Sequence, residues 1–260
     1  MRSIQTALIC ELMKLKRSPI VLISIIIFIF IPFMMGLMIF VSRNPEVGAK
    51  LGLIAAKAKM FGYDDWESYF GIINQLIATM GLIGFGFVCS WVFGREFLEH
   101  TIKDILALPI SRLSIVVAKY IIVLLWCSLL SIVLFAVGVV VGKMVDLEAL
   151  TTDMILTLSS KFFLTAFMTL LVTTPVAFFA SYGRGILAPI AFVIVTLIMA
   201  QFVALVGLGP YFPWAIPGVN TAPEGTVGMQ LTAVSFIVVA ITAIIGLYST
   251  ILYWRLADQQ

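Results

Sequence analysis

The chain predicts an all-α fold, a polytopic membrane protein with six transmembrane helices. Three observations carry that prediction. Hydrophobic residues make up 62% of the 260 residues and charged residues only 11%, against roughly 25% charged in a soluble domain, and the mean hydropathy is +1.15. The apolar residues fall in solid runs close to the roughly 20 that a helix needs to cross a bilayer. None of the runs shows the period-two alternation of a membrane β-barrel. Cys10, Cys89 and Cys127 have neither metal-like spacing nor the pattern of a disulfide framework. The net charge of +3 comes from basic residues scattered beside apolar runs, which gives no footprint for nucleic acid.

Taken in order, residues 2–17 place Ile4, Leu8, Leu12 and Leu15 on one stripe and end in the basic cluster Lys14, Lys16 and Arg17. Such a segment, with Glu11 off the stripe, is expected to lie in the membrane interface. The first span, about 20–41, is too long for a signal-peptide core, and Pro32 should bend it. A loop of mixed charge, 42–71, holds Asp64, Asp65 and Glu67, which a divalent metal or simply solvent could claim. The second span, about 72–93, carries Gly86, Ser90 and Gly94, a row of small residues suited to close helix contact.

The third span, about 114–141, begins with Lys119 one turn inside, where it is expected to snorkel to the headgroups. Gly138 and Gly142 form a GxxxG at its far end. Within the fourth span, about 161–181, Thr173-Thr174-Pro175 should kink the helix, with hydroxyls replacing the partners that proline frees. A tight turn, Tyr182-Gly183-Arg184-Gly185, leads to the fifth span, about 186–206. Residues 207–218 are apolar and aromatic but broken by three prolines, which suits an extracellular re-entrant or interfacial segment with Tyr211 and Trp214 at headgroup level. The sixth span is expected at about 231–253.

With the N-terminus inside, ten of the 16 basic residues fall on the inner side, so the positive-inside rule orients both termini to the cytoplasm. Between the second and third spans, residues 95–112 hold the densest cluster of alternating charge in the chain. On a helical wheel Phe97, Leu98, Ile102, Ile105, Leu106 and Leu108 share one half-circle, while Glu96, Glu99, His100, Lys103 and Asp104 share the other. Glu99 and Lys103 stand in the favourable i, i+4 order, and Pro109 ends the helix at Leu108. The polar face is expected to meet water or a partner. A connecting helix lying in the interface would show the same pattern.

The chemistry the sequence lacks narrows its function. No Asp, Glu or His falls inside any of these six spans, whereas an ion-coupled carrier usually needs an intramembrane ionisable group. There is no phosphate loop for hydrolysing ATP, and no Ser/His pairing or H-E-x-x-H for an intramembrane enzyme. A transporter driven by a separate cytoplasmic ATPase, which would need an element to grip, stays open beside a secondary carrier or channel and a membrane enzyme or assembly scaffold, and composition alone does not choose between a docking helix at 95–108 and a plain connecting one.

The run Glu96 … Thr101 … Leu106 … Pro109-Ile110-Ser111-Arg112, followed by Lys119, resembles the signature of the type 2 ATP-binding-cassette (ABC) exporter permeases. In that family a small residue commonly stands where this chain has His100. Residues 11–19 resemble the family's amphipathic leading helix, and residues 207–218 its re-entrant hairpin. The resemblance implies a single permease domain over 1–260 in the cell membrane, with a coupling helix at 95–108. Arg95, Glu96, Glu99, His100, Thr101, Lys103, Asp104, Pro109 and Arg112 would form the ATPase-coupling region, and Glu11, Lys14, Lys16 and Arg17 the interfacial helix. It also implies cytoplasmic ABC ATPase subunits that hold ATP and Mg, a second permease subunit (an identical copy being favoured), contact with membrane lipid, and no cofactor on this chain. The expected cargo is hydrophobic or amphipathic, a drug or an antimicrobial peptide of the bacitracin or lantibiotic kind.

Overall fold

Helices dominate because apolar chain in a bilayer must satisfy every backbone N–H and C=O internally. The computed structural model describes residues 2–44, 65–102, 110–147, 150–222 and 230–256. In order these form α1 (Arg2–Lys16), α2 (Pro19–Arg43), α3 (Trp66–Leu98), α4 (Arg112–Met144), α5 (Thr152–Val172), α6 (Thr174–Tyr182), α7 (Leu187–Leu205), a 3-10 turn (Gly209–Tyr211), α8 (Ile216–Val219) and α9 (Ala233–Leu256). Among the described residues there is no strand, and six helical stretches are long and apolar enough to cross a membrane, α5 and α6 counting as one.

The second, third and fourth spans outrun the limits read from hydropathy, because capped polar turns extend them beyond their apolar centres, while the fifth, Leu187–Leu205, falls just inside its limits. Asp65 accepts the Ser68 N–H at 2.7 Å to start α3, Ser111 Oγ accepts the Ser114 N–H at 3.2 Å to start α4, and Thr151 caps α5 through the Met154 N–H at 3.3 Å. Each cap satisfies a donor that a helix start leaves orphaned. Of the acids considered for a metal, Asp65 is thus a helix cap; Asp64 lies outside the described residues, as do Lys103, Asp104 and Pro109.

α3 is the hub. It packs against α4, α5, α6, α7 and α8, and its most apolar window is 61% buried, against 22% for α2 and α7. The exposed Ile, Leu and Phe side chains of α2, α7 and α9 form the apolar outer surface a bilayer would solvate. Small residues set the close approaches: a Cβ on Gly94 would sit 2.7 Å from the carbonyl oxygen of Gly185, and one on Gly246 2.5 Å from the backbone nitrogen of Pro175.

The fourth span breaks at Thr173 as the threonine–proline triplet predicts. Pro175 cannot donate to Leu171, and the Thr174 hydroxyl takes that carbonyl at 2.8 Å while Thr173 Oγ1 takes Leu170 O at 2.6 Å. Two tertiary contacts fix the broken segment. Trp214 Nε1 donates to Val172 O at 3.1 Å, and the Tyr120 hydroxyl lies within 3.3 Å of Thr174 O, Gly246 O and Thr250 Oγ1.

On α1, Ala7 and Glu11 are buried and Leu8 and Leu15 pack against the core, while Ile4 and Leu12 are exposed. One expectation is corrected here. Residues 95–98 do not open a separate helix; they are the last turn of α3, which nothing interrupts before residue 99.

Candidate functional site

The sequence dispersed its charged candidates, but the fold gathers four of them. Glu11 and Lys14 come from α1, Glu96 from the last turn of α3 and Lys119 from the third turn of α4. Glu96 continues the buried α3 stripe of Cys89, Val92 and Phe93 at i, i+3, i+4 and i+7, so its side chain is carried inward against α1 and α4. It is 2% exposed, and Lys119 is 0% exposed.

Lys119 Nζ donates to Glu96 Oε1 at 2.5 Å and to Val92 O at 2.8 Å, and stands 3.4 Å from Glu11 Oε1. Lys14 Nζ donates to Glu11 Oε1 at 2.7 Å and to Glu96 Oε1 at 2.9 Å. Two ammonium groups and two carboxylates therefore form one neutral cluster, the arrangement by which a buried charge is tolerated. The Phe93 ring lies 5.8 Å from the Lys119 nitrogen and adds a cation–π contact. Burial alone would raise the Glu11 carboxyl, but Lys119 and Lys14 hold it below its ordinary value. Burial would lower Lys14, and Glu96 and Glu11 instead hold it above the ordinary ammonium value.

These positions overturn two expectations. Glu96 does not face outward, because the wheel treated 95–108 as an isolated surface helix and ignored the face α3 had already buried. Lys119 does not snorkel; its partners are inside the bundle. Glu96 lies in the last turn of α3, beyond the limit of 93 read from hydropathy, and both carboxylates of the cluster are paired with lysines through Oε1.

Beyond Glu96 the chain turns out of the helix. The Thr101 N–H reaches Glu96 O at 3.0 Å and the His100 N–H reaches Phe97 O at 3.4 Å, the paired bonds of a Schellman cap. His100 sits in its left-handed position at φ 55°, a conformation that favours glycine and matches the small residue expected there from the resemblance. Glu99 and His100 are exposed. Arg95 pairs with Glu99 at 2.7 Å and lies over the Trp91 ring at 5.7 Å. Past residues 103–109, Arg112 donates through Nη1 to Trp254 O at 3.1 Å and so binds the C-terminal end of α9. Lys16 and Arg17 are exposed. The connection between α3 and α4 is thus flanked by Glu96, tied to α1 and α4, and Arg112, tied to α9.

The family model for ABC-2 family transporter proteins matches residues 7–201. The chain belongs to the ABC-2 transporter family. A relative is the bacitracin transport permease protein BCRB of Bacillus licheniformis, 26% identical over 184 residues that cover 70% of this chain and 88% of the relative. This ABC-2 chain is accordingly a multi-pass membrane protein and a transport permease, and ABC-2 permeases generally work with ABC ATPases. The matched region includes every member of the four-charge cluster. Lys119 is the functional candidate that residue chemistry alone misread; a lone lysine in an apolar run, with surplus acids at 11 and 96, was the available signal.

Proposed function

We propose that this ABC-2 permease is the membrane subunit of an ATP-driven exporter, with both termini in the cytoplasm, and that separate ATPase subunits act on the 99–112 connection. A second copy of the chain would complete the pathway, and the cargo would be a hydrophobic or amphipathic drug or antimicrobial peptide. The name of the relative supports a peptide cargo, and the apolar spans suit it. ATP and Mg belong to the partner ATPase in this reading.

One observation carries the coupling role. The four-charge cluster joins the helix before the connection, the helix after it and the leading helix α1 through shared carboxylate oxygens. A force on the exposed Glu99–His100 turn would therefore move α1, α3 and α4 together. A buried polar network has discrete arrangements and resists gradual deformation, which suits a two-state switch.

The test separates docking from transmission. Glu99→Arg with His100→Glu changes only exposed side chains and is expected to reduce co-purification of the ATPase. Glu96→Gln is expected to leave co-purification intact while lowering ATP-dependent export in proteoliposomes. Export by the purified chain under an ion gradient without ATPase would overturn the proposal, as would ATPase capture indifferent to both variants.

A further inference from the structure

α2 packs along α4 and leaves a groove of about 650 Å³ between itself and α3. The buried Phe28 ring, stacked on Phe85 at 6.1 Å, lies at its bottom. Ile23, Ile27, Phe30 and Met34 wall the groove from α2, and Met80 and Ile83 from α3; all six side chains are exposed. Among the described residues that line it, Ser24 is the one polar side chain. Its hydroxyl is already engaged, donating to Val21 O at 2.8 Å and accepting from Trp126 Nε1 at 3.1 Å. Such a lining offers water none of the several polar partners it needs, so the occupant is apolar.

Length and charge select that occupant. The α2 wall runs from Ile20 to Met35, about 22 Å at 1.5 Å per residue, and the α3 wall from Leu76 to Phe87, about 16 Å. One leaflet holds about 15 Å of the roughly 30 Å hydrocarbon core, so an extended acyl chain can lie in the groove over the full depth of its leaflet. Lys16 and Arg17 stand just before Ile20, within about 14 Å along the chain, and so sit at headgroup level at that end. Both are exposed, and among the described residues neither has an ion pair. The one acid of α1, Glu11, is matched by Lys14 and Lys119 and does not cancel them. No side chain caps the first turn of α2, and free N–H groups at a helix start add to the attraction for an anion.

We propose that the groove between α2 and α3 is a binding site for an anionic diacyl phospholipid of the phosphatidylglycerol type, in the leaflet that holds α1. One acyl chain lies along the groove, and the phosphate meets Lys16, Arg17 and the start of α2. Phosphatidylcholine would fill the groove equally well, but its choline offsets the phosphate and it gains little from the two cations.

This site is independent of the ATPase reading, and its test needs no transport. The purified full chain is incubated in detergent micelles with equal amounts of phosphatidylglycerol and phosphatidylcholine of the same acyl chains, and bound lipid is counted by native mass spectrometry. Each basic side chain near an anionic headgroup favours binding by about fivefold, so phosphatidylglycerol is expected to be retained about 25-fold better. Lys16→Gln with Arg17→Gln should bring the two lipids level. Met80→Trp, which fills the groove from an exposed position, should lower retention of both, and Lys143→Gln, in the last turn of α4, should change neither. Equal retention by the unmodified chain would overturn the proposal, as would a preference that survives the double substitution. Undiminished retention by Met80→Trp would place the lipid elsewhere, and a dimer that forms as lipid is lost and is blocked by Met80→Trp would give the groove to a second copy; either result would overturn it too.

Discussion

Lys119→Met tests the four-charge cluster most directly. The substitution keeps the aliphatic stem of a side chain that is fully buried and removes its ammonium. Before the change two lysines face two glutamates and the cluster is neutral. Afterwards Lys14 alone must serve Glu11 and Glu96, and its own side chain is 32% exposed while theirs are 9% and 3%. One carboxylate is left buried without a matching charge, and Val92 O loses its donor. Removing one partner of a buried pair costs about 3–5 kcal/mol. Adding Glu96→Gln restores neutrality with Glu11 and Lys14 still paired, and the double variant should recover about 1–3 kcal/mol, the coupling expected between contacting residues. The assay is equilibrium unfolding in mixed micelles by titration with sodium dodecyl sulfate, followed by far-ultraviolet circular dichroism. A single variant within about 1 kcal/mol of the unmodified chain, a fraction of the cost of breaking a buried pair, would refute the neutral-cluster account. A double variant less stable than the single would refute it equally.

Three further outcomes follow from the same geometry. Gly246→Ala places a methyl group against the backbone of Thr174 and Pro175, which cannot move aside cheaply; about 1–3 kcal/mol of overpacking should appear in the same titration, and none would show that the two helices separate freely. His100→Gly relieves a left-handed histidine and should stabilise the end of α3 by up to about 1 kcal/mol, read in that titration, whereas a loss of stability would give the imidazole a role in the turn. The attachment of α1 should be flat across neutral pH: the depressed Glu11 carboxyl supports it above its ordinary value of 4.5 and loses hold as pH falls through the lower folded value. The raised Lys14 supports it below 10.5 and fails only as pH rises through the higher folded value. Spin labels at Met13 and Leu113 should report a constant distance between about pH 5 and 10 and a broadened one outside it, and a transition near neutrality would mean that a different group holds α1.

Much of the fold was legible in the sequence because a bilayer admits few solutions. Apolar runs near 20 residues read as spans, and the Thr173-Thr174-Pro175 break was legible because proline removes a donor wherever it stands. The ends of the spans were less legible, since Asp65, Ser111 and Thr151 extend helices by local capping that hydropathy does not register. The candidate site was legible as a region but not as a geometry. A helical wheel assigns faces relative to one axis, and it could not show that α3 runs on through Glu96 and delivers that carboxylate to α1 and α4.

The sequence by itself determined the membrane, the six spans, the break before Pro175 and the family resemblance of residues 95–112, because each depends on composition or on neighbours a few positions away. Tertiary structure alone decided that Glu11, Lys14, Glu96 and Lys119 share two carboxylate oxygens and that Arg112 holds the end of α9. The contacts between helices join residues 23 to 142 positions apart, and only the packing of helices around α3 sets which of many opposite charges meet.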